Sequence, residues 1–245
     1  MPTATVEDYL KALLQLAEPG RGVGTSELAA RLKVRAASVT HMLQRLSQRR
    51  LVRYRRYQGA SLTAAGRRAA TSVLRRHRLL EVFLHRVCRF PLHQVHREAD
   101  ALEHAASDSL ADALDRLLDF PRRDPHGDPI PDRHGRLRED VSRPLADLLP
   151  GARAVVSRLE DSRPEALQHL TGLGLAPGRR VTLLRRLQFD GSAELRVGRR
   201  RVLLSPELAR AVRVLPAPPA APGARAGRPP RRTFRPAGRA PRARP

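Results

Sequence analysis

His77 and Glu81 stand four residues apart, and His96, Asp100, Glu103 and His104 follow at i, i+4, i+7 and i+8. On α-helices each set projects from a single face, because residues three and four apart stack one turn above another. Imidazole and carboxylate together are the donors of divalent first-row metal ions. Asp8, on an amphipathic N-terminal segment, is placed to close the set, since a helix crossing two antiparallel helices presents one side chain to the groove between them. Seven oxygen and nitrogen donors suffice for two ions per subunit. Without thiolate they suit six-coordinate manganese or ferrous iron better than structural zinc. The plainer reading makes Glu81, Asp100 and Glu103 solvated helix-surface charges and the histidines incidental. Six such residues in phase on two consecutive helices argue against it. His85 extends the first stripe but is read as a surface residue, as are His93, His126, His134 and His169.

The elements that must position these residues are legible in the apolar periodicity. Val6, Leu10, Leu13, Leu14 and Ala17 predict a first helix, with Thr5 and Asp8 as a capping pair and Pro19-Gly20 as its end. Thr25 or Ser26 is expected to cap a short helix, a turn follows at Lys33 to Arg35, and Val39, Met42, Leu43 and Leu46 mark another helix. Two short helices about ten residues apart read as helix-turn-helix. Leu51-Val52 and Ser61-Leu62 flank the basic, aromatic stretch 53–59 and predict a wing. A long helix is expected from Thr63 to Arg89 and a second from Leu92 to Phe120, with 121–150 as a linker. Beyond it, Leu159, Leu167, Leu170 and Leu173 predict a short helix, and three strand-like runs between 181 and 204 predict a small barrel.

Composition narrows the function classes. The chain has 245 residues and a formal net charge of +23, a surface that attracts polyanions, of which double-stranded nucleic acid is the commonest soluble one. A membrane surface is the rival, but no run of about 18 apolar residues exists and the N-terminus lacks a basic leader with a cleavage site. The expectation is a cytoplasmic protein with no membrane partner. Cys88 is the single cysteine, so an internal disulfide framework and a zinc ribbon are both excluded, and its plain reading is a small buried hydrophobe. Residues 216–245 are almost wholly Pro, Ala, Gly and Arg with no acidic residue, a composition that buries no core and predicts a disordered basic tail.

Ordered motifs then carry a likeness. Thr5-Val-Glu-Asp-Tyr-Leu, the run from Ala30 to Thr40, Leu62-Thr-Ala-Ala-Gly66, Arg76 to Glu81, Val95 to His104 and Asp128-Pro-Ile-Pro131 resemble, in order, the diphtheria toxin repressor and manganese transport regulator family. The likeness covers residues 3 to 215. The final module resembles the SH3-like domain of ferrous transport accessory proteins, through Gly172 to Gly178 and Leu204 to Ala209. This resemblance implies a mainly α chain with a winged helix-turn-helix domain at 1–65 and a helical metal-binding dimerisation domain at 66–135. A linker at 136–152, an SH3-like domain at 153–215 and the tail at 216–245 complete it. By the same resemblance His77, Glu81 and His96 fall on a first metal site, and Asp8, Asp100, Glu103 and His104 on a second. Carboxylates at Asp8 and Asp100 are similar to the manganese branch. Lys11, where manganese regulators usually have glutamate, departs from it, and Glu81 with His96 looks like the iron branch.

The resulting expectation is a homodimeric, manganese- or iron-activated transcriptional repressor of metal homeostasis genes that binds a pseudo-palindromic operator and no small-molecule substrate. Arg35, Ala37, Ser38 and His41 match base-facing positions of the family, Thr40 lies on the same helix, and Arg35 suits a guanine edge. Arg45, Arg49, Arg53, Arg55 and Arg56 suit phosphate. Two competing readings are a metal-independent winged-helix factor, whose DNA binding ignores chelator, and a dinuclear metallohydrolase, which requires an open coordination position and turnover.

Overall fold

The computed structural model describes residues 3–160 and 163–217. Helices α1 (Ala4–Leu16), α2 (Thr25–Leu32) and α3 (Ala36–Gln48) precede a hairpin of β1 (Val52–Arg55) and β2 (Gly59–Leu62). Val6, Leu10 and Leu13 recur at helical spacing on α1 and are buried with Leu28, Val39, Leu43, Leu46, Val52 and Ala60 in one core, so a single apolar face fixes all five elements. Lys33 enters the left-handed region at φ 55°. Its N–H bonds back to α2, which makes the sharp turn between the two short helices. The hairpin pairs Val52 with Leu62 and Arg55 with Gly59. Gly59, at φ 83°, lies so close to Gly22 and Val23 that a Cβ there would strike their backbone. Helix starts differ from expectation. Thr3 is the N-cap of α1, which places Thr5 and Asp8 inside the helix. At α2 the N-cap is Gly24, whose N–H donates to Glu27 Oε2 at 3.3 Å, so neither Thr25 nor Ser26 caps it.

Helix α4 (Ala64–Arg86) is the mast of the molecule. Thr63 Oγ1 accepts from the Gly66 N–H at 3.1 Å, one of the orphan donors of a helix start. Three arginines then tie α4 to its neighbours: Arg75 to Asp112 at 2.9 Å and Asp115 at 2.8 Å, Arg76 to Glu7 at 2.8 Å, and Arg78 to Asp128 at 3.4 Å. The second long helix expected at 92–120 is two helices, α5 (Leu92–Leu102) and α6 (Asp108–Leu117). The break follows from Ser107, whose Oγ accepts from the Leu110 N–H at 3.1 Å and starts a new helix. Leu79, Val82, Val95, Ala99, Ala111 and Leu114 form the core of this unit, while Leu110 and Leu117 of α6 and Phe120 just beyond it stay exposed. Cys88, expected to be buried, is exposed, because α4 ends at Arg86 and the chain turns outward there.

Residues 121–150 are not a free linker. Asp124 Oδ1 accepts from the N–H groups of His126 at 2.8 Å and Asp128 at 2.9 Å, closing a tight turn. Within that turn Gly127, at φ 97°, packs against the Ser157 carbonyl so closely that no Cβ fits. Leu145 and Leu148 are buried in the core of the C-terminal unit. That unit comprises β3 (Arg143–Pro144), a 3-10 turn, β4 (Arg153–Leu159), α7 (Pro164–Gly172), β5 (Arg180–Arg186), β6 (Ala193–Val197), β7 (Arg200–Leu204), α8 (Pro206–Ala211) and β8 (Val212–Pro216). Its sheet is antiparallel with order β3-β8-β4-β5-β6-β7. Leu159, grouped with a helix in the sequence, lies on β4, where Ala154 and Val156 alternate into the core and a register shift after Val156 brings Leu159 into it as well. The tail expected from 216 lies, beyond Ala217, outside the described residues. No described helix is long and apolar enough to cross a membrane.

Candidate metal centre and DNA-binding surface

All seven donors expected from the sequence converge where α1 crosses α4 and α5. His77 is buried at the middle of the groove. Its Nδ1 lies 2.6 Å from Glu103 Oε2, and its Nε2 lies 3.0 Å from both Glu81 Oε1 and His96 Nδ1. The four-residue spacing of His77 and Glu81 on α4 produces the second contact directly. Asp100, one turn after His96 on α5, reaches His77 Nδ1 at 3.3 Å and His96 Nε2 at 3.5 Å. At the end of α5, Glu103 is fully buried, and His104 Nε2 lies 3.0 Å from Asp8 Oδ1 of α1. Three triads bring their donor atoms within 4.8 Å of one another: His77 with His96 and Asp100, Asp8 with Glu103 and His104, and Glu81 with Asp124 and His126.

The third triad corrects the reading of His126 as a surface residue. It is buried, as are its partners Glu81 and Asp124. His126 Nδ1 stands 3.7 Å from Glu81 Oε1, and Nε2 has no hydrogen-bond partner. Asp124 and Glu7 were also missed. Glu7 accepts from Arg76 through Oε1 at 2.8 Å and meets His104 Nδ1 through Oε2 at 2.7 Å. That contact favours a proton on His104 Nδ1 and leaves Nε2, facing Asp8, free for a ligand bond. The adjacency of Glu7 to Asp8 was the available signal, because neighbouring residues on a helix deeply inserted between two others both meet protein.

Without an ion, the groove balances its carboxylates internally. Burial opposes the charged form of His77, but Glu81 and Glu103 outweigh it and hold the imidazolium up to about 9. Lys11 Nζ donates to Asp100 Oδ1 at 2.9 Å and to Glu103 Oε1 at 2.5 Å. Burial pushes Asp100 and Glu103 up, yet the cations beside them, Lys11 above all for Asp100 and His77 for Glu103, hold both below the ordinary range. Asp124 behaves oppositely: burial, with Glu81 and Asp128 close by, pushes it up to about 8. Nitrogen and oxygen donors crowded at this density, one of them an orphaned imidazole nitrogen, fit a divalent cation.

The other functional surface is open. Arg35, Ala37, Ser38, His41, Arg45 and Arg49 are exposed along α3 and its ends, and Arg53, Arg55 and Arg56 are exposed on the hairpin. Thr40 is half-buried, and its hydroxyl donates to the Ala36 carbonyl at 3.2 Å, which leaves it an acceptor at most for a partner. Arg56 stacks over Tyr57 with 5.2 Å to the ring centroid, a contact that stiffens the hairpin tip.

Residues 1–60 match the iron dependent repressor N-terminal DNA binding domain, and residues 63–132 match its metal binding and dimerisation domain. An HTH-type transcriptional regulator MntR of Geobacillus kaustophilus is 32% identical over 124 residues, which span 51% of this chain and 87% of that protein. The chain belongs to the iron-dependent repressor family. It is accordingly a metal-activated, DNA-binding transcriptional repressor, from a family of regulators and not of enzymes. A diphtheria toxin repressor of Corynebacterium glutamicum is 29% identical over 221 residues, covering 86% of this chain and 95% of that one. A solved manganese-dependent transcriptional repressor in complex with manganese superposes with a TM-score of 0.79 at 34% identity, covering 86% of this chain and all of the other. Residues 143–216 of the repressor match the FeoA domain. Asp8 thus belongs to the DNA-binding match, whereas every other donor, Asp124 and His126 included, belongs to the dimerisation match.

Proposed function

We propose that this repressor senses manganese or ferrous iron through the groove between α1, α4 and α5, and that the ion selects its operator-binding state. The observation that carries this reading is Asp8: a carboxylate on the DNA-binding unit lies among Glu103 and His104 of the dimerisation unit. An ion held by all three draws the two units together and fixes the spacing of the two recognition helices in a dimer. The ligand therefore binds one arrangement more tightly than the other, which is the thermodynamic requirement of a switch. A coupling of about 1 to 3 kcal/mol, roughly 5- to 150-fold in DNA affinity, is typical.

The ligands in this reading are Asp8, His77, Glu81, His96, Asp100, Glu103 and His104, joined by Asp124 and His126. The absence of thiolate among them supports a harder ion than zinc. Arg35, Ala37, Ser38, Thr40 and His41 face bases in the major groove, and Arg45, Arg49, Arg53, Arg55 and Arg56 contact phosphate. A two-fold dimer reads a pseudo-palindrome whose half-sites lie a helical turn, or a multiple of it, apart. The repressor acts in the cytoplasm on metal uptake and homeostasis genes. Fluorescence anisotropy on its own promoter and on transporter promoters, with chelator and then with manganese, ferrous iron and zinc, tests the proposal. The expected result is at least a tenfold rise in affinity with manganese or iron, lost in Asp8→Ala. Equal binding with and without metal sinks it.

A further inference from the structure

Lys11 reaches into the metal groove from α1, one turn after Asp8, and is itself buried. Its ammonium touches Asp100 Oδ1 at 2.9 Å and Glu103 Oε1 at 2.5 Å, so it stands at the seam between two donor triads, His77–His96–Asp100 and Asp8–Glu103–His104. Resting on the reading of this groove as a divalent-metal site, we infer that Lys11 is a built-in cation that takes the place of one ion, so that these two triads hold a single divalent ion between them.

Charge counting carries the argument. The four carboxylates among the seven donors are Asp8, Glu81, Asp100 and Glu103. Glu7 is not free to help, since Arg76 and His104 share it. Two divalent ions would neutralise all four carboxylates and leave the Lys11 ammonium buried without a counter-charge, an arrangement that a protein interior disfavours strongly. With a single ion Lys11 keeps its partners. The geometry agrees. Asp100 is a member of one triad and Glu103 of the other, and the lysine draws an oxygen from each. Adjacent metal ions in two-metal sites lie about 3.5 to 4 Å apart, and here Nζ bonds to one carboxylate of each triad. The ion goes to Asp8, Glu103 and His104, because Glu7 orients His104 and leaves its Nε2 beside Asp8.

The test counts manganese. The full-length chain and its Lys11→Glu, Lys11→Gln and Lys11→Arg forms are dialysed against manganese, the bound ion is measured by atomic emission, and electron paramagnetic resonance spectra are recorded. Lys11→Glu and Lys11→Gln should each bind one more ion per subunit than the unaltered chain, with a spin-coupled pair signal that the unaltered chain and Lys11→Arg lack. The difference between forms is independent of whatever Glu81, Asp124 and His126 hold. Equal stoichiometry in all four forms, or a coupled pair already present in the unaltered chain, overturns the inference and leaves the metal-sensing reading standing. If no form binds manganese or iron, that reading falls and this one falls with it. Lys11→Gln keeps the test decisive should the extra carboxylate of Lys11→Glu prevent folding.

Discussion

The recognition helix with its hairpin and the metal groove are both rich in charge, and they treat it in opposite ways. On α3 and the β1–β2 hairpin the arginines project into solvent. In the groove Glu7, Lys11, His77, Glu81 and Glu103 are buried, and the ionisable side chains bond to one another: His77 to Glu81 and Glu103, Lys11 to Asp100 and Glu103, Glu7 to Arg76 and His104. The difference reflects the size of the partner. A nucleic acid brings an extended line of phosphates, so its binding surface stays solvated until they arrive. A metal ion is small and its ligands must converge, so in the metal-free state the groove has to be stabilised by its own protons and cations, which the ion displaces.

The sharpest way to break the groove half of this comparison is Glu103→Ala. It leaves Lys11 and His77 as buried cations short of their nearest partner, and should cost about 3 to 5 kcal/mol in urea unfolding of the metal-free chain. A loss below 1 kcal/mol would mean that the groove is wet and loosely held. Next is pH. His77 is held up at about 9 in the folded chain, above its ordinary value near 6.5. The folded state therefore binds the extra proton. The stability it gives, on the order of 3 kcal/mol, is fully present below about pH 6.5 and is lost as pH rises through about 9. Melting temperatures of the metal-free chain between pH 6 and 10 should decline across that window, and His77→Gln should flatten the decline.

On the DNA half, Arg35→Ala should cost about 1 to 3 kcal/mol and relax the preference at one base pair, with the salt dependence little changed. Competition anisotropy on single-base operator variants would read this, and a loss uniform across all variants would reassign Arg35 to the phosphates. The smallest effect is expected for Arg53→Ala. It should weaken every sequence alike and lower the slope of log affinity against log salt by about one, whereas an unchanged slope would place the hairpin away from the backbone.

The winged-helix unit was legible because a single apolar stripe per helix determines it, and Val6, Leu10, Leu13, Val39, Leu43 and Leu46 all lie in the core as their spacing requires. The stripe of donors on α4 and α5 was legible for the same reason. What escaped was set by tertiary contact. The apolar rhythm runs on through Ala105 and Ala106 and hides the break that Ser107 makes by capping α6. The prolines of 121–131 suggest an open linker, yet the Asp124 turn folds that stretch against Glu81 and buries His126. The signal was present in Asp124-Pro-His-Gly-Asp128, an aspartate placed to accept from its own backbone, but not the wall it would pack against. Lys11 stood out in the sequence only as a departure. Its partners, Asp100 and Glu103, are 89 and 92 residues away.

The turn at Gly127 has a meaning for how such chains are inherited. Its close fit against Ser157, together with the bond from the Leu159 N–H to the His126 carbonyl at 2.9 Å, makes the C-terminal unit a wall of the chamber that holds Glu81, Asp124 and His126. A lineage that discarded this unit by a truncation after Ser142 would lose more than an appendage. It would uncover the third donor triad and free the turn that shapes it, so gain or loss of the module and of that triad should travel together in descent.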